Sequence, residues 1–282
     1  MLRVGRIQYI NCYPVYGAID RGIVPLDGQL VDGVPTHLNH LMASGAIDVS
    51  VVSAVEYARD SHQFLLLPEL GITSDGPVRS VMLFSKRAPR DLGGRRVVVS
   101  KSSMTSVALL ELLFEHVWRC RPEFVPGDAE VADIARFDDD PHDARLVIGD
   151  AALKLFDAAN RGGAWANRYP YREDLGTAWK QWTGLPFVFA VWVAQRRTPV
   201  HAALAAHASL IASRDWGLQH LDELSVQAAH ASGVPLDTCR TYFAGLDYRL
   251  SYPHLAGLTE FFRRLVLAGR VPDGTLAFLP AA

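Results

Sequence analysis

The sequence predicts an α/β fold of two lobes with a ligand-binding cleft between them. Short apolar segments rich in β-branched residues end in polar residues, as strands do where their carboxyl ends face a ligand. Segments with helical spacing follow several of these strands after short loops, which is typical of βαβ units. The chain has 282 residues, which is enough for two lobes of ordinary size.

The first predicted element is a strand at residues 6–10, which ends at Asn11 before a turn containing Pro14. At this position Asn11 faces the edge of the sheet where ligands bind. Its amide donates and accepts hydrogen bonds but cannot titrate, so it could orient a hydroxyl or stabilise a leaving oxygen. The alternative is an ordinary turn residue, which is a common use of Asn.

Residues 31–53 predict a strand, a helix and a second strand. Thr36 is a candidate N-cap and Gly45 a candidate C-cap of the helix. The second strand ends at Ser53, which therefore faces the same edge of the sheet as Asn11. A turn at residues 76–80 then leads into a further strand at residues 81–84, and its Arg79 could pair with a substrate carboxylate or lie solvated on the surface.

A second set of elements begins with a strand at residues 96–100, followed by a Ser/Thr-rich loop and a helix. The free N–H groups of the helix, with the hydroxyls of Thr105 and Ser106, would make a site for a carboxylate or a phosphate. Ordinary N-capping by Ser102 or Ser103 is the alternative.

A strand at residues 145–150 brings Gly149 and Asp150 to the same cleft, and a helix at residues 151–159 follows. Asp150 could serve as a base or cap that helix. An apolar strand at residues 187–193 precedes a mostly helical end of the chain. We expect one lobe to comprise residues 1–84 plus 195–282 and the other residues 85–194, with the cleft between them.

Composition and charge argue against several classes of protein. The formal net charge is −2, so nothing predicts a nucleic-acid or membrane partner. The three cysteines are far apart, which disfavours a disulfide framework or a zinc site. No signal-peptide pattern or membrane-length apolar run is found, so we expect a cytoplasmic location. No nucleotide, flavin, pyridoxal or metal motif stands out, so we expect a small-molecule substrate and neither cofactor nor metal.

The predicted cleft lacks a strong general base, because no His or Glu lies at the strand ends that face it. An enzyme built this way would catalyse a reaction that needs little acid–base help from side chains, or its substrate would bring its own base.

Nearly the whole chain resembles the menaquinone enzymes of the futalosine pathway, and among them the chorismate dehydratases. The most specific segments are Tyr-Ile-Asn-Cys-Tyr-Pro at 9–14, Gly-Pro-Val-Arg-Ser-Val at 76–81, Thr-Ser at 105–106, Ile-Gly-Asp-Ala-Ala-Leu at 148–153, and 179–192 with Thr-Gly-Leu-Pro-Phe-Val-Phe-Ala. The resemblance implies a periplasmic-binding-protein-like fold of type II and conversion of chorismate to 3-[(1-carboxyvinyl)oxy]benzoate and water, a hydro-lyase reaction.

The resemblance also assigns roles to residues. The family's active-site Asn and Ser fall on Asn11 and Ser80, and its carboxylate-binding pair falls on Thr105 and Ser106. We expect Asn11 and Ser80 to hold the substrate and assist loss of its C4 hydroxyl, while the substrate's enolpyruvyl carboxylate removes the ring proton. A water molecule or Asp150 is the alternative base.

Two alternative functions stay open at this point. The sister enzyme of the pathway, 1,4-dihydroxy-6-naphthoate synthase, opens with a Ser-Pro-Cys-Pro-Asn-Asp segment and has a catalytic His where this chain has Gly149. Both departures favour the dehydratase. A non-catalytic small-anion-binding protein on the same fold is the other alternative, because one fold hosts many functions.

Overall fold

The computed structural model describes residues 1–101, 103–128 and 130–280. Its strands are β1 (Arg3–Ile7), β2 (Gln29–Gly33), β3 (Val49–Ser53), β4 (Phe64–Ser74), β5 (Val81–Ser85), β6 (Arg96–Ser100), β7 (Glu123–Gly127), β8 (Ala144–Ile148), β9 (Tyr171–Asp174) and β10 (Phe187–Gln195). Its α-helices are α1 (Tyr13–Asp20), α2 (Pro35–Ala43), α3 (Ala54–Arg59), α4 (Met104–His116), α5 (Gly149–Asn160), α6 (Ala164–Arg168), α7 (Leu175–Thr183), α8 (Val200–Gln219), α9 (Leu221–Ser232), α10 (Leu236–Gly245) and α11 (Tyr252–Leu267). Within the described ranges, no helix is both long and apolar enough to cross a membrane.

The strands form two mixed sheets of the same design, with the orders β2-β1-β3-β10-β4 and β7-β6-β8-β5-β9. In the first sheet, β1 runs parallel to β2 and β3, whereas β10 is antiparallel to β3 and β4. In the second sheet, β6 runs parallel to β7 and β8, whereas β5 is antiparallel to β8 and β9. The α/β class predicted from the sequence is confirmed.

Two strands join a different sheet from the one that the predicted lobe limits imply. The sequence places residues 81–84 in the first lobe, whereas β5 pairs within the second sheet. The sequence places residues 187–193 in the second lobe, whereas β10 pairs within the first sheet. An apolar strand fits the centre of either sheet, so its composition does not indicate which one it joins. We propose that the chain crosses between lobes at residues 75–80 and 175–186.

Close packing of α1 on α8 fixes the segment that carries Asn11. A Cβ atom on Gly217 of α8 would overlap the backbone oxygen of Pro14, so only glycine allows this approach. On the sheet side, Trp192 donates a hydrogen bond of 3.0 Å to the Tyr16 hydroxyl, which donates one of 2.9 Å to the backbone oxygen of Gly5. The start of α1 is therefore held from both sides.

Two local predictions were wrong in detail. The first strand ends at Ile7, and Asn11 lies in a 3-10 turn, Ile10–Cys12, because Pro14 suits the first turn of α1 and does not break the chain there. Thr36 does not cap α2: Pro35 takes the first helical position, which makes Val34 the N-cap.

Candidate active site

A cleft between the two sheets brings together most of the predicted site residues. Seven hydroxyl or amide side chains among the described residues line it, namely Tyr9, Asn11, Ser53, Ser80, Ser103, Thr105 and Ser106. The backbone of Gly149 lines it as well, and apolar side chains such as Ile72 and Phe189 complete the wall. The cavity volume of about 90 Å³ is below the roughly 300 Å³ of ordinary small-ligand pockets, so the cleft is narrow.

The described part of this lining contains no carboxylate, imidazole or amine. Tyr9 is the titratable side chain there, and burial raises its pKa far above the usual value. Its hydroxyl donates to a Glu130 carboxylate oxygen, which further favours the protonated phenol. The described lining of the cleft therefore offers neutral hydrogen-bonding groups and no ready general base.

Asn11 lines this cleft and carries a buried acceptor. Its Oδ1 atom is shielded from solvent and makes no hydrogen bond with any described residue. A buried carbonyl oxygen without a partner destabilises a fold by about 1–3 kcal/mol. Such an atom at the wall of a cleft is suited to accept a hydrogen bond from a ligand hydroxyl.

Ser80 is presented by a strained turn immediately before β5. The preceding residue, Arg79, has φ 62°, a conformation that costs a non-glycine residue on the order of 1–3 kcal/mol. Asp174 stabilises this turn, because its carboxylate accepts from the backbone N–H of Val78 at 3.1 Å and of Arg79 at 2.6 Å. The same carboxylate caps α7 by accepting from the N–H of Thr177 at 3.0 Å.

The N-terminus of α4 supplies Thr105 and Ser106. Ser103 is the N-cap but makes no capping hydrogen bond, and its hydroxyl donates to Ser106 Oγ at 2.7 Å. Thr105 Oγ1 accepts from the N–H of Val55 at 3.1 Å. Because Thr105 and Ser106 act as acceptors in these two hydrogen bonds, each hydroxyl keeps its own proton to donate into the cleft. Ser102, the other candidate cap, lies outside the described residues.

Ser53 and Gly149 line the same cleft and also hold neighbouring elements in place. Ser53 Oγ caps α3 by accepting from the N–H of Glu56 at 3.3 Å, and it also accepts from Asn39 Nδ2 at 3.4 Å. Gly149 has φ 64° at the first position of α5, and its N–H donates to the backbone oxygen of Ser80 at 2.8 Å. That left-handed conformation favours glycine.

Two predicted site residues lie outside the described lining of the cleft. The Arg79 side chain extends to Gly245, where its Nη1 atom occupies the space that a Cβ atom on that glycine would need. Asp150 lies in the first turn of α5, where its carboxylate accepts from the backbone N–H of Ile10. Burial raises the pKa of Asp150 to about 6. The contact with Ile10 supports the 3-10 turn that holds Asn11.

Sequence reasoning missed Asp174 and Tyr242, which both support Ser80. Tyr242 of α10 is buried, and its hydroxyl donates to Ser80 Oγ at 2.9 Å. Both residues lie far from Ser80 in the sequence. Asp174 directly precedes a helical segment, which is a capping signal, whereas nothing in the local pattern marks Tyr242.

Two proteins with similar sequences are chorismate dehydratases. A chorismate dehydratase from Thermus thermophilus is 33% identical over 273 residues, covering 94% of this chain and 95% of that protein. A chorismate dehydratase from Campylobacter jejuni is 27% identical over 191 residues, covering 66% of this chain and 64% of that protein.

Solved structures confirm the predicted fold. A protein from Archaeoglobus fulgidus superposes with a TM-score of 0.79 at 18% identity, covering 96% of this chain and 98% of that one. The periplasmic aliphatic sulphonate binding protein SsuA from Escherichia coli superposes with a TM-score of 0.66 at 14% identity, covering 98% of this chain and 94% of that one. The chain thus has the periplasmic-binding-protein fold. Since the model of the family described as menaquinone biosynthesis matches residues 2–266, the chain belongs to that family.

Proposed function

We propose that this protein is a hydro-lyase that converts chorismate to 3-[(1-carboxyvinyl)oxy]benzoate and water. The observation that carries the proposal is a cleft of neutral hydrogen-bonding side chains without a general base in its described lining. The chorismate dehydratase from Thermus thermophilus, similar over 94% of this chain, supports the choice of substrate.

Chorismate matches the polar and apolar parts of the cleft. One carboxylate of the substrate accepts hydrogen bonds at the N-terminus of α4, where the helix dipole favours negative charge and the hydroxyls of Thr105 and Ser106 still have protons to donate. Ile72 and Phe189 provide an apolar surface for the ring. The C4 hydroxyl of the substrate donates to Asn11 Oδ1 and accepts from Ser80, which places the leaving group between two fixed partners.

The reaction needs no proton from the protein. The enolpyruvyl carboxylate of the substrate takes the proton from C3, the C3–H electron pair forms the new ring double bond, and the C4–O bond breaks. The carboxyl group then gives this proton to the departing hydroxide, and water leaves. Formation of an aromatic ring drives the reaction, so the protein's task is to orient the substrate and exclude solvent.

The alternatives are less well supported. Gly149, at φ 64°, has no side chain to serve as the catalytic His expected of the naphthoate synthase. Asp150 as a base would have to reach a cleft whose described lining does not include it. A passive anion-binding protein shares the fold, and turnover distinguishes it from an enzyme.

The purified protein incubated with chorismate alone tests the proposal. We expect a product lighter than chorismate by the mass of one water molecule, with the ultraviolet absorbance of a substituted benzoate. Binding without turnover would favour an anion-binding protein, and the absence of both would refute the choice of substrate.

Replacing Ser106 by Ala tests the carboxylate site. The variant loses one hydrogen bond to a charged group, worth about 1.5–3 kcal/mol, so kcat/KM should fall about 10- to 100-fold. Most of the loss should appear in KM, because the carboxylate is bound alike in the ground and transition states. Ser209→Ala on α8 is the control, since the Ser209 hydroxyl donates to the backbone oxygen of Pro25 and does not line the cleft. A KM within about twofold of wild type would place the carboxylate elsewhere.

Replacing Asp150 by Asn separates a structural role from a catalytic one. The pKa of Asp150 in the folded protein is about 6, above the usual 3.8, so the folded protein binds the carboxyl proton more tightly than the unfolded chain does. The stabilisation from this bound proton is lost as pH rises through 6. Asn keeps an acceptor for Ile10 without the charge. The variant should therefore be more stable than wild type by about 2–3 kcal/mol near pH 8 and nearly equal near pH 4.

Denaturant melts at both pH values and steady-state kinetics decide this prediction. We expect kcat of Asp150→Asn within about tenfold of wild type. Loss of a general base would lower kcat by about 10²–10⁴-fold, and that result would make Asp150 the base.

A further inference from the structure

We propose that Tyr242 is a positioning residue that directs the Ser80 hydroxyl toward the leaving group of the substrate. The inference rests on the proposed function and adds a residue to its machinery. Tyr242 comes from α10, near the end of the chain, whereas Ser80 directly precedes β5 of the second sheet. Their hydroxyl oxygens are 2.9 Å apart, and both residues are buried.

The direction of this hydrogen bond determines what Ser80 can do. Tyr242 donates, so one lone pair of Ser80 Oγ is occupied and the single Ser80 proton can be given to another acceptor. Ser80 lines the cleft, where the substrate's leaving group is placed. Ser80 can therefore donate a hydrogen bond to the C4 oxygen of the substrate as the C4–O bond breaks, while keeping its proton.

The surroundings of Tyr242 keep it a donor. Burial raises the pKa of its phenol and outweighs the hydrogen bond with Ser80, which lowers it, and the nearby groups Asp150, Cys12 and Cys239 raise it further. The phenol thus stays protonated at neutral pH. A donor that is itself part of a hydrogen-bond chain polarises its acceptor, which strengthens the next hydrogen bond in the chain, from Ser80 to the substrate.

A neighbouring tyrosine provides a matched control. Tyr248 is as deeply buried as Tyr242, but its hydroxyl has no hydrogen-bond partner among the described residues. Tyr248→Phe removes a buried hydroxyl of the same kind without breaking a hydrogen bond. The two Phe variants therefore share the change in volume and differ in the bond to Ser80.

Steady-state kinetics of Tyr242→Phe and Tyr248→Phe with chorismate test the proposal. We expect Tyr242→Phe to lower kcat on the order of tenfold, with KM and the dissociation constant of chorismate within about twofold of wild type. Tyr248→Phe should keep the wild-type kcat. In a Ser80→Ala background, Tyr242→Phe should have no further effect, because the group through which it acts is absent.

The outcomes separate the two proposals. An unchanged kcat in Tyr242→Phe, or an equal loss in the Ser80→Ala background, would overturn the positioning role while leaving the proposed function intact. A wild-type protein that binds chorismate without turnover would refute the proposed function, and with it the role of Tyr242 in a reaction.

Discussion

Replacing Asn11 by Ala is expected to lower kcat/KM for chorismate about 10²-fold, the loss typical when a reacting group is no longer held in its productive orientation. The physical reason is that Asn11 Oδ1 is a buried acceptor at the cleft, and it has no partner among the described residues. In the reaction it holds the C4 hydroxyl in the orientation needed for departure. Steady-state kinetics with the purified variant measure the effect.

The same substitution should stabilise the fold. Removing an unsatisfied buried acceptor relieves a penalty of about 1 kcal/mol, so the free energy of unfolding should rise while activity falls. Asn160→Ala, at the exposed end of α5, serves as the control and should change neither the free energy of unfolding nor kcat/KM. If Asn11 is an ordinary turn residue, the variant should lose stability and retain near-normal kcat/KM, and this result would contradict the assignment.

Replacing Ser80 by Ala should lower kcat about 10²-fold, with a smaller change in KM. Ser80 donates to the departing C4 oxygen, and this hydrogen bond strengthens as negative charge develops there. An interaction that grows in the transition state appears in kcat more than in KM. Rapid mixing under single-turnover conditions isolates the chemical step from product release.

A buried serine at the far end of β5 is the matched control. Ser85 Oγ donates to the backbone oxygen of Arg87 at 2.7 Å, and Ser85 does not line the cleft. Ser85→Ala should reduce stability by about 1 kcal/mol and leave kcat unchanged. A Ser80→Ala variant with wild-type kcat would remove Ser80 from the mechanism.

Local pattern was sufficient to predict the elements that end at the cleft. The strand at residues 96–100 has the predicted bounds, and β3 ends at Ser53 as expected. The helix predicted after the Ser/Thr-rich loop at residues 101–106 is present but begins earlier, at Met104, so Thr105 and Ser106 lie in its first turn. These segments are short and strongly apolar, with clear polar ends, so the spacing of their apolar residues is enough to indicate the type of each element and where it ends.

Features that depend on distant contacts could not be predicted in this way. The turn that positions Ser80 gives Arg79 a positive φ, which no local pattern specifies, and the Arg79 side chain lies against Gly245. Asp150 lies within a helix rather than at the end of a strand, and its carboxylate accepts from the N–H of Ile10. Tyr242 reaches Ser80 only through the tertiary fold.

The central claim is that the protein supplies hydrogen-bond donors and acceptors while the substrate removes its own proton. A chorismate analogue whose enolpyruvyl carboxylate is replaced by a carboxamide tests this claim most directly, because the shape is kept and the base is lost. We predict that the analogue inhibits wild-type protein competitively but is dehydrated about 10²–10⁴-fold more slowly than chorismate. Dehydration of the bound analogue at the rate of chorismate would contradict the claim and require a base supplied by the protein or by water.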